Sequence, residues 1–576
     1  MDWPLKPRRT TWNRARRCDL TEAVKPRKPP YNAEGDDAIP PHRLRVGAPR
    51  PALTTPGITN AADRGFSLAG VGISRATQYL VGALALLLLA SVLVARLSPV
   101  AFVVLGSALL GTLAAISWRS PRLVLIGIAL MPIFDRYLIG AIVPGSLSAI
   151  TNFFSEGLLL LVALIVTAKA IRDGNLMRAV RHPLFPLVVG FIAVAVVGMV
   201  VNDVPLVIAA AGTLFTIDAV ALFFLPRLVG FPPRHAAIAA GAFVAVAGIA
   251  AVLAVAQITL APTIFGMEIS RGRFSEGNRV TAFFDGNPNM LGAVLAMGVP
   301  FPAFAARYLH GRWRVMAWAL VFVLAIALFY TFSRGAWLGL AMSMLVVGLI
   351  VDWRALALVM AAGLLAYGAA HVMPRNLLVG LLSQPGDEPI PEVSFDLGGA
   401  LGDRLGTIGS GRDLRFLFIE NAAPIIEDHP IVGAGPGRYG GAVSARFNES
   451  PLYDQYTDGE VPEGRTVDNF WLHLVVEFGI LGSLLFAAMV AYAITELIVA
   501  ARRAEPLTRV LLASFAAAAV VIAVDSLAEM LLEGNTTSFS TWFFLGIGSA
   551  LLMAERQRRR RELDPSSEHR AVPQTL

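Results

Sequence analysis

Residues 183–201 read PLFPLVVGFIAVAVVGMVV, nineteen positions without a charge or a hydrogen-bonding side chain. A helix rises about 1.5 Å per residue, so a run of this length matches the roughly 30 Å hydrocarbon core of a bilayer. A helix apolar on every face belongs in lipid or at the centre of a large core. A membrane β-strand would alternate apolar and polar positions, which this run does not.

Working outward, similar runs recur near 77–96, 99–117, 122–139, 153–171, 205–226, 235–259, 288–306, 313–331, 335–351, 355–373, 469–499, 509–531 and 538–554. With 183–201 they make about fourteen expected spans, an all-α integral membrane fold. The third and sixth are interrupted or bounded by Asp135, Arg136 and Asp218, and losing a pair would leave twelve. Composition points the same way: 55% of the chain is hydrophobic and 15% charged, against about 25% charged in a soluble domain. The 52 Gly and 36 Pro follow no period, which excludes a collagen-like chain. One cysteine, Cys18, rules out an internal disulfide framework. The eight histidines are scattered without a metal-ligand spacing, so neither a metal nor another cofactor is expected.

The net charge of +7 would suggest nucleic acid until the charges are placed. With the N-terminus in the cytoplasm and spans alternating, 35 of the 48 Lys and Arg fall on inner segments, including all four lysines. That is the positive-inside pattern, so the excess charge reads as orientation and no nucleic-acid partner is expected. Both ends are expected to be cytoplasmic. Residues 1–75 read as a disordered tail rich in Arg and Pro, with no signal-peptide core, lying near anionic lipid. A cytoplasmic protein partner for this tail is the alternative. Residues 76–373 hold the first eleven spans, 469–554 the last three, and 555–576 a basic C-terminal tail. Residues 374–468 form one large extracytoplasmic loop with 7 Arg against 15 Asp and Glu. Within it a helix is expected over LRFLFIENAAPIIED (414–428), then a glycine-rich turn, HPIVGAGPGRYGG (429–441). GPGRYG (435–440) formally fits a dinucleotide fingerprint but lacks the strand–turn–helix setting, so it reads as a structural turn.

Chemistry is sought among the charges left outside. Arg334, in TFSRGAWLG between the ninth and tenth spans, either snorkels and pairs with an acid or forms an anion fork, which guanidinium suits because it binds phosphate bidentately. RVTAFFDGNPNMLG (279–292) brings Arg279 to a turn, with Pro288 placed to start a helix. VDNFWLHLVVEFGILG sets Asn469, His473 and Glu477 at i, i+4 and i+8, with Asp468 at the rim. Asp525, Glu529 and Glu533 have the same spacing, an acidic stripe that would suit arginine pairing or a cation path.

FSRGAWLGL (332–340), the 279–292 segment, HPIVGAGPGRYG (429–440) and DNFWLHLVVEFGILG (468–482) together resemble, in order and spacing, the O-antigen ligase/polymerase family of bacterial membrane proteins. The resemblance implies a metal-independent glycan transferase of the inner membrane with a GT-C-like fold. Its donor would be a glycan on undecaprenyl diphosphate, its acceptor a glycan or a second lipid-linked repeat, with membrane lipids around it. Arg334 and Arg279 would hold the diphosphate, assisted by Arg412 and Arg415, while it is the polar stripe itself, which should face protein or water and not lipid, that sets Asn469 and Glu477 at the substrate site. Ligases of the family commonly carry His-Asn where this chain has Asp468-Asn469. That departure favours a polymerase-like member and leaves the base open between Asp468 and His473. The competing reading, resting on the acidic stripe, is a polysaccharide transporter or flippase.

Overall fold

The computed structural model describes residues 99–134, 154–260, 279–284, 287–372, 414–443, 467–533 and 535–563, with 78, 79, 81–83 and 86. All lie in one contact unit, Ile58–Leu576. The expected tail 1–75, most of the first span, much of the large loop and the last residues of the C-terminal tail lie outside the described residues. No β-strand occurs among the described residues.

The helices in chain order are α1 (Pro99–Arg119), α2 (Pro121–Leu130), α3 (Phe154–Arg172), α4 (Leu184–Val201), α5 (Leu206–Val229, through a 3-10 turn at Asp218–Val220) and α6 (Pro233–Thr259). There follow α7 (Pro288–Ala305), α8 (Gly311–Tyr330), α9 (Arg334–Val351) and α10 (Trp353–Val372). The last are α11 (Leu414–Asp428), α12 (Phe470–Ala501), α13 (Pro506–Asp525) and α14 (Asn535–Leu563). Among the described residues ten helices are long and apolar enough to cross a membrane, and Pro121–Ile133 and Trp353–Ala369 are shorter apolar helices. The expected third span is the clearest shortfall. Its helix gives way after Leu130 to a 3-10 turn through Pro132, whose ring cannot donate to the helical ladder.

Burial sorts the helices. Of the best apolar window, 83% is buried in α7 and 89% in α14, against 28% in α4, so α7 and α14 form the centre and α4 an edge. Without a hydrophobic drive between helices in lipid, close approach depends on small residues. A Cβ at Gly339 would lie 2.6 Å from Val521 O, and the Ser343 hydroxyl donates to Ala517 O at 2.9 Å, which seats α9 on α13. A Cβ at Gly546 would lie 2.6 Å from Leu222 O and Phe223 O, which seats α14 on α5.

The helix ends fall into two separate sets. At one end, Arg227 donates to Ser549 Oγ at 2.5 Å and Ser549 to Glu496 at 2.9 Å. At that same end Arg122 caps Gly230 O at 2.7 Å, Lys169 caps Trp118 O at 2.6 Å, and Arg307 pairs with Asp352 at 3.4 Å. The other end gathers residues 279–292, 329–335, 429–443, 467–477 and 525–533. The first set is the one that the alternation of spans assigns to the basic side.

Candidate functional site

The second end is built around a broken helix. In α12, Gly479 has φ +64°, a left-handed value that glycine adopts without a Cβ penalty. The helical ladder opens there and the glycine-rich turn fills it. Ala434 N donates to Val476 O at 2.8 Å and Gly435 N to Glu477 O at 3.1 Å. In return Ile480 N donates to Pro430 O at 3.0 Å and Leu481 N to Ile431 O at 3.1 Å. Irregular backbone inside a membrane bundle persists only when its polar groups are satisfied in this way. Asn202, at the end of α4, adds a bond from Nδ2 to Gly433 O at 3.0 Å.

Side chains of α12 fix the rest of the turn. The Glu477 carboxylate is fully buried and accepts from Gly437 N at 2.6 Å and Tyr439 N at 2.7 Å. His473, 1% exposed, donates from Nδ1 to Tyr439 O at 2.8 Å. Its Nε2 lies 3.7 Å from Glu477 and 3.6 Å from Glu533. Glu533 in turn accepts from Ala442 N at 2.9 Å. The Tyr439 hydroxyl donates to Phe418 O at 2.8 Å, and burial pushes its pKa above the usual phenol value. A small apolar cluster of Phe418, Ala422, Ile425, Tyr439 and Val476 packs α11 over the turn.

Beside this clamp runs a second polar chain. Arg279 donates from Nε to Thr331 O at 2.7 Å and also bonds Asn289 Oδ1. Asn289 Nδ2 donates to Glu529 at 2.5 Å. Phe470 N, opening α12, donates to Ser526 O at 3.0 Å and faces Glu529 O at 3.4 Å. Asn287 caps α7, accepting from Asn289 N and Met290 N at 3.0 Å each, with Pro288 in the first turn as its sequence suggests. Arg334 opens α9 two positions after Phe332, whose φ of +50° is strained for a side chain of this size. A Cβ on Gly335 would collide with the Asp525 carboxylate, so that acid lies against the first turn of α9.

Residues 318–487 match the family model described as O-antigen ligase. Over that stretch, 170 of its 576 residues, the chain is similar to the O-antigen ligase family. A comparison with curated proteins gives no match. The O-antigen ligase match runs from within α8, through α9, α10, α11 and the glycine-rich turn, to the middle of α12.

Set on this O-antigen ligase frame, the expected site residues part company. Arg279, Arg334, Asp468 and Asn469 lie at one end of the bundle, each half-buried. Asn469 caps α12, accepting from Leu472 N at 3.0 Å. His473 and Glu477 lie deeper and hold backbone of the glycine-rich turn. Arg412 lies outside the described residues, and Arg415 stands in the first turn of α11. The acidic stripe needs correcting. Helix α13 ends at Asp525, and Glu529 and Glu533 lie on the turns that follow, so the three acids do not share a helix face. They diverge to α9, to Asn289 and to the glycine-rich turn. GPGRYG is a turn folded on α12, with no strand before it.

Sequence reasoning passed over Gln257, fully buried in α6, whose Oε1 accepts from Thr281 N at 3.2 Å and Ala282 N at 2.9 Å. That holds Ala282 at φ +45°, next to Arg279. The signal was present: a lone amide in an otherwise apolar span is costly without a fixed partner.

Proposed function

We propose that the chain is a glycan transferase whose donor is a glycan on undecaprenyl diphosphate, acting at the outer face of the cytoplasmic membrane and extending a lipid-linked chain as a polymerase does. The observation that carries this reading is the meeting, at one end of the bundle, of Arg279, the Arg334 turn and the Asp468-Asn469 start of α12, tied together through Thr331, Asn289 and Glu529. The separation of a basic end from this end supports the orientation with both termini cytoplasmic, in a GT-C-like arrangement of up to fourteen spans.

In the reaction an acceptor hydroxyl attacks the anomeric carbon of the donor. The bond from that carbon to the diphosphate oxygen breaks, and its electron pair leaves with the diphosphate. Arginines held in place beforehand stabilise the charge that develops there. Of the two candidate bases, Asp468 is half-buried at the rim, whereas His473 is closed within the clamp. We therefore assign proton acceptance from the hydroxyl to Asp468, and to His473 the positioning of the turn.

The test uses purified protein in liposomes with lipid-linked donor and acceptor. Wild-type protein lengthens the lipid-linked glycan, Arg334→Ala abolishes the lengthening and Arg334→Lys retains a residue of it. Unchanged products in both variants overturn the reading. A donor that changes leaflet without bond formation would establish transport instead.

A further inference from the structure

We propose that a cleft at the basic end, opposite the candidate site, binds the phosphate of an anionic phospholipid. The cleft has a volume of about 370 Å³, and five helices contribute to it. Arg119 comes from the end of α1, Arg122 from the start of α2, Lys169 from the end of α3 and His235 from the start of α6. Three cations, Arg119, Arg122 and Lys169, thus converge at one place beside the His235 imidazole, with Asp173 the acid in the wall. Asp173 is already paired with Arg172 at 3.2 Å.

The cationic groups are pre-set and not exhausted. Arg122 is anchored by bonds to Gly230 O at 2.7 Å and Val229 O at 3.2 Å, which use two of its five N–H groups and fix the fork. Lys169 gives one of three protons to Trp118 O at 2.6 Å. Arg119 makes no hydrogen bond or ion pair among the described residues. Nδ1 of His235 is buried without a hydrogen-bond partner. A phosphate oxygen has the acceptors these groups lack.

Depth and wall chemistry assign the phosphate to a lipid. Trp118, with Arg172 stacked 4.5 Å over its ring, marks the level where amphipathic rings sit between headgroup and hydrocarbon. Val166, Ala170 and Leu228 form the apolar part of the wall. A free phosphate leaves that wall unmatched, whereas acyl chains cover it. Basic clefts between spans on the cytoplasmic side suit anionic headgroups.

The test is native mass spectrometry of the full chain in detergent, titrated with phosphatidylglycerol or phosphatidylcholine. Wild-type protein retains one phosphatidylglycerol and no phosphatidylcholine. Each basic group near an anionic headgroup contributes about fivefold, so Arg119→Gln weakens retention about fivefold and R119Q/K169Q about 30-fold. Because Arg119 is exposed and makes no bond, its single variant leaves folding intact. Arg312→Gln with Arg314→Gln, at the same end but outside the cleft, leaves retention unchanged. Equal loss in this control, or none in the cleft variants, overturns the site. Displacement by millimolar inorganic phosphate overturns the assignment to lipid.

Discussion

Replacing Glu477 by Ala should release the glycine-rich turn without unfolding the bundle. The buried carboxylate accepts two backbone bonds, from Gly437 N at 2.6 Å and Tyr439 N at 2.7 Å. A hydrogen bond to a charged group contributes about 1.5–3 kcal/mol, and its loss here orphans buried N–H groups. Two such bonds set the cost at about 3–6 kcal/mol, local to residues 430–441. Opening of that turn should therefore rise about 10²–10⁴-fold. Glu477→Gln keeps one acceptor and turns an NH2 toward the second donor, so roughly half the cost remains. Limited proteolysis at Arg438 reads the opening directly, and tryptic cleavage should increase in the order wild type, Gln, Ala. Bundle melting followed by far-UV signal should move much less than cleavage does. If the Ala variant resists cleavage and transfers glycan as wild type does, the carboxylate does not hold the turn and the clamp is misread.

Four further outcomes follow. Gly479→Ala forces a side chain into φ +64° against Ile431, and should cost at least about 1–2 kcal/mol, read as a lowered melting temperature with lost glycan transfer. Arg279→Lys keeps a charge but cannot bond Thr331 O and Asn289 together; kcat/KM should fall about 10²–10³-fold, and a near-normal rate would remove Arg279 from the site. Tyr439→Phe should cost about 1 kcal/mol by stranding Phe418 O. Since burial raises the Tyr439 pKa above its unfolded value near 10.0, its contribution is complete below that pH and is lost above it, which a stability–pH profile of wild type against the Phe variant checks. Glu496→Gln loosens the network of Ser549, His182 and Arg556 at the basic end; it should lower the melting temperature while folded protein keeps its turnover, and a fall in kcat would contradict the separation of the two ends.

What was legible in the sequence was local. The run 183–201 appears as α4, Leu184–Val201, because apolar length alone decides a span. The helix at 414–428 and the Asn287-Pro288 start of α7 were legible because capping and periodicity act within a few residues. The break at Gly479 was not. Its glycine sits in a hydrophobic helix like any other, and what opens the ladder is backbone from residues 430–435, some 45 positions earlier. The acidic stripe failed for a related reason. Spacing of four implies one face only while the helix continues, and α13 stops at Asp525. His473 and Glu477 were found as a pair, but whether such a pair faces substrate or holds the protein's own backbone is decided by tertiary contacts.

The turns after α13 bear on where the reaction surface resides. Carboxylates in a membrane bundle are costly unless each has a partner. Here the three acids between 525 and 533 lie against three different segments. Asp525 lies against Gly335 beside Arg334, Glu529 holds Asn289 and through it Arg279, and Glu533 holds Ala442 and approaches His473. The backbone of the same turn receives Phe470 N next to Asp468 and Asn469. The family match covers 318–487, so it contains Arg334, Asp468 and the glycine-rich turn but neither Arg279 and Asn289 nor these acids. Within the match, Glu477 and His473 already hold the glycine-rich turn. From outside the match, Glu529 and Glu533 add holds on Asn289 and on the end of that turn. The candidate site is therefore a property of the bundle that brings α7, α9, α12 and the end of α13 together, and the matched segment holds only part of it.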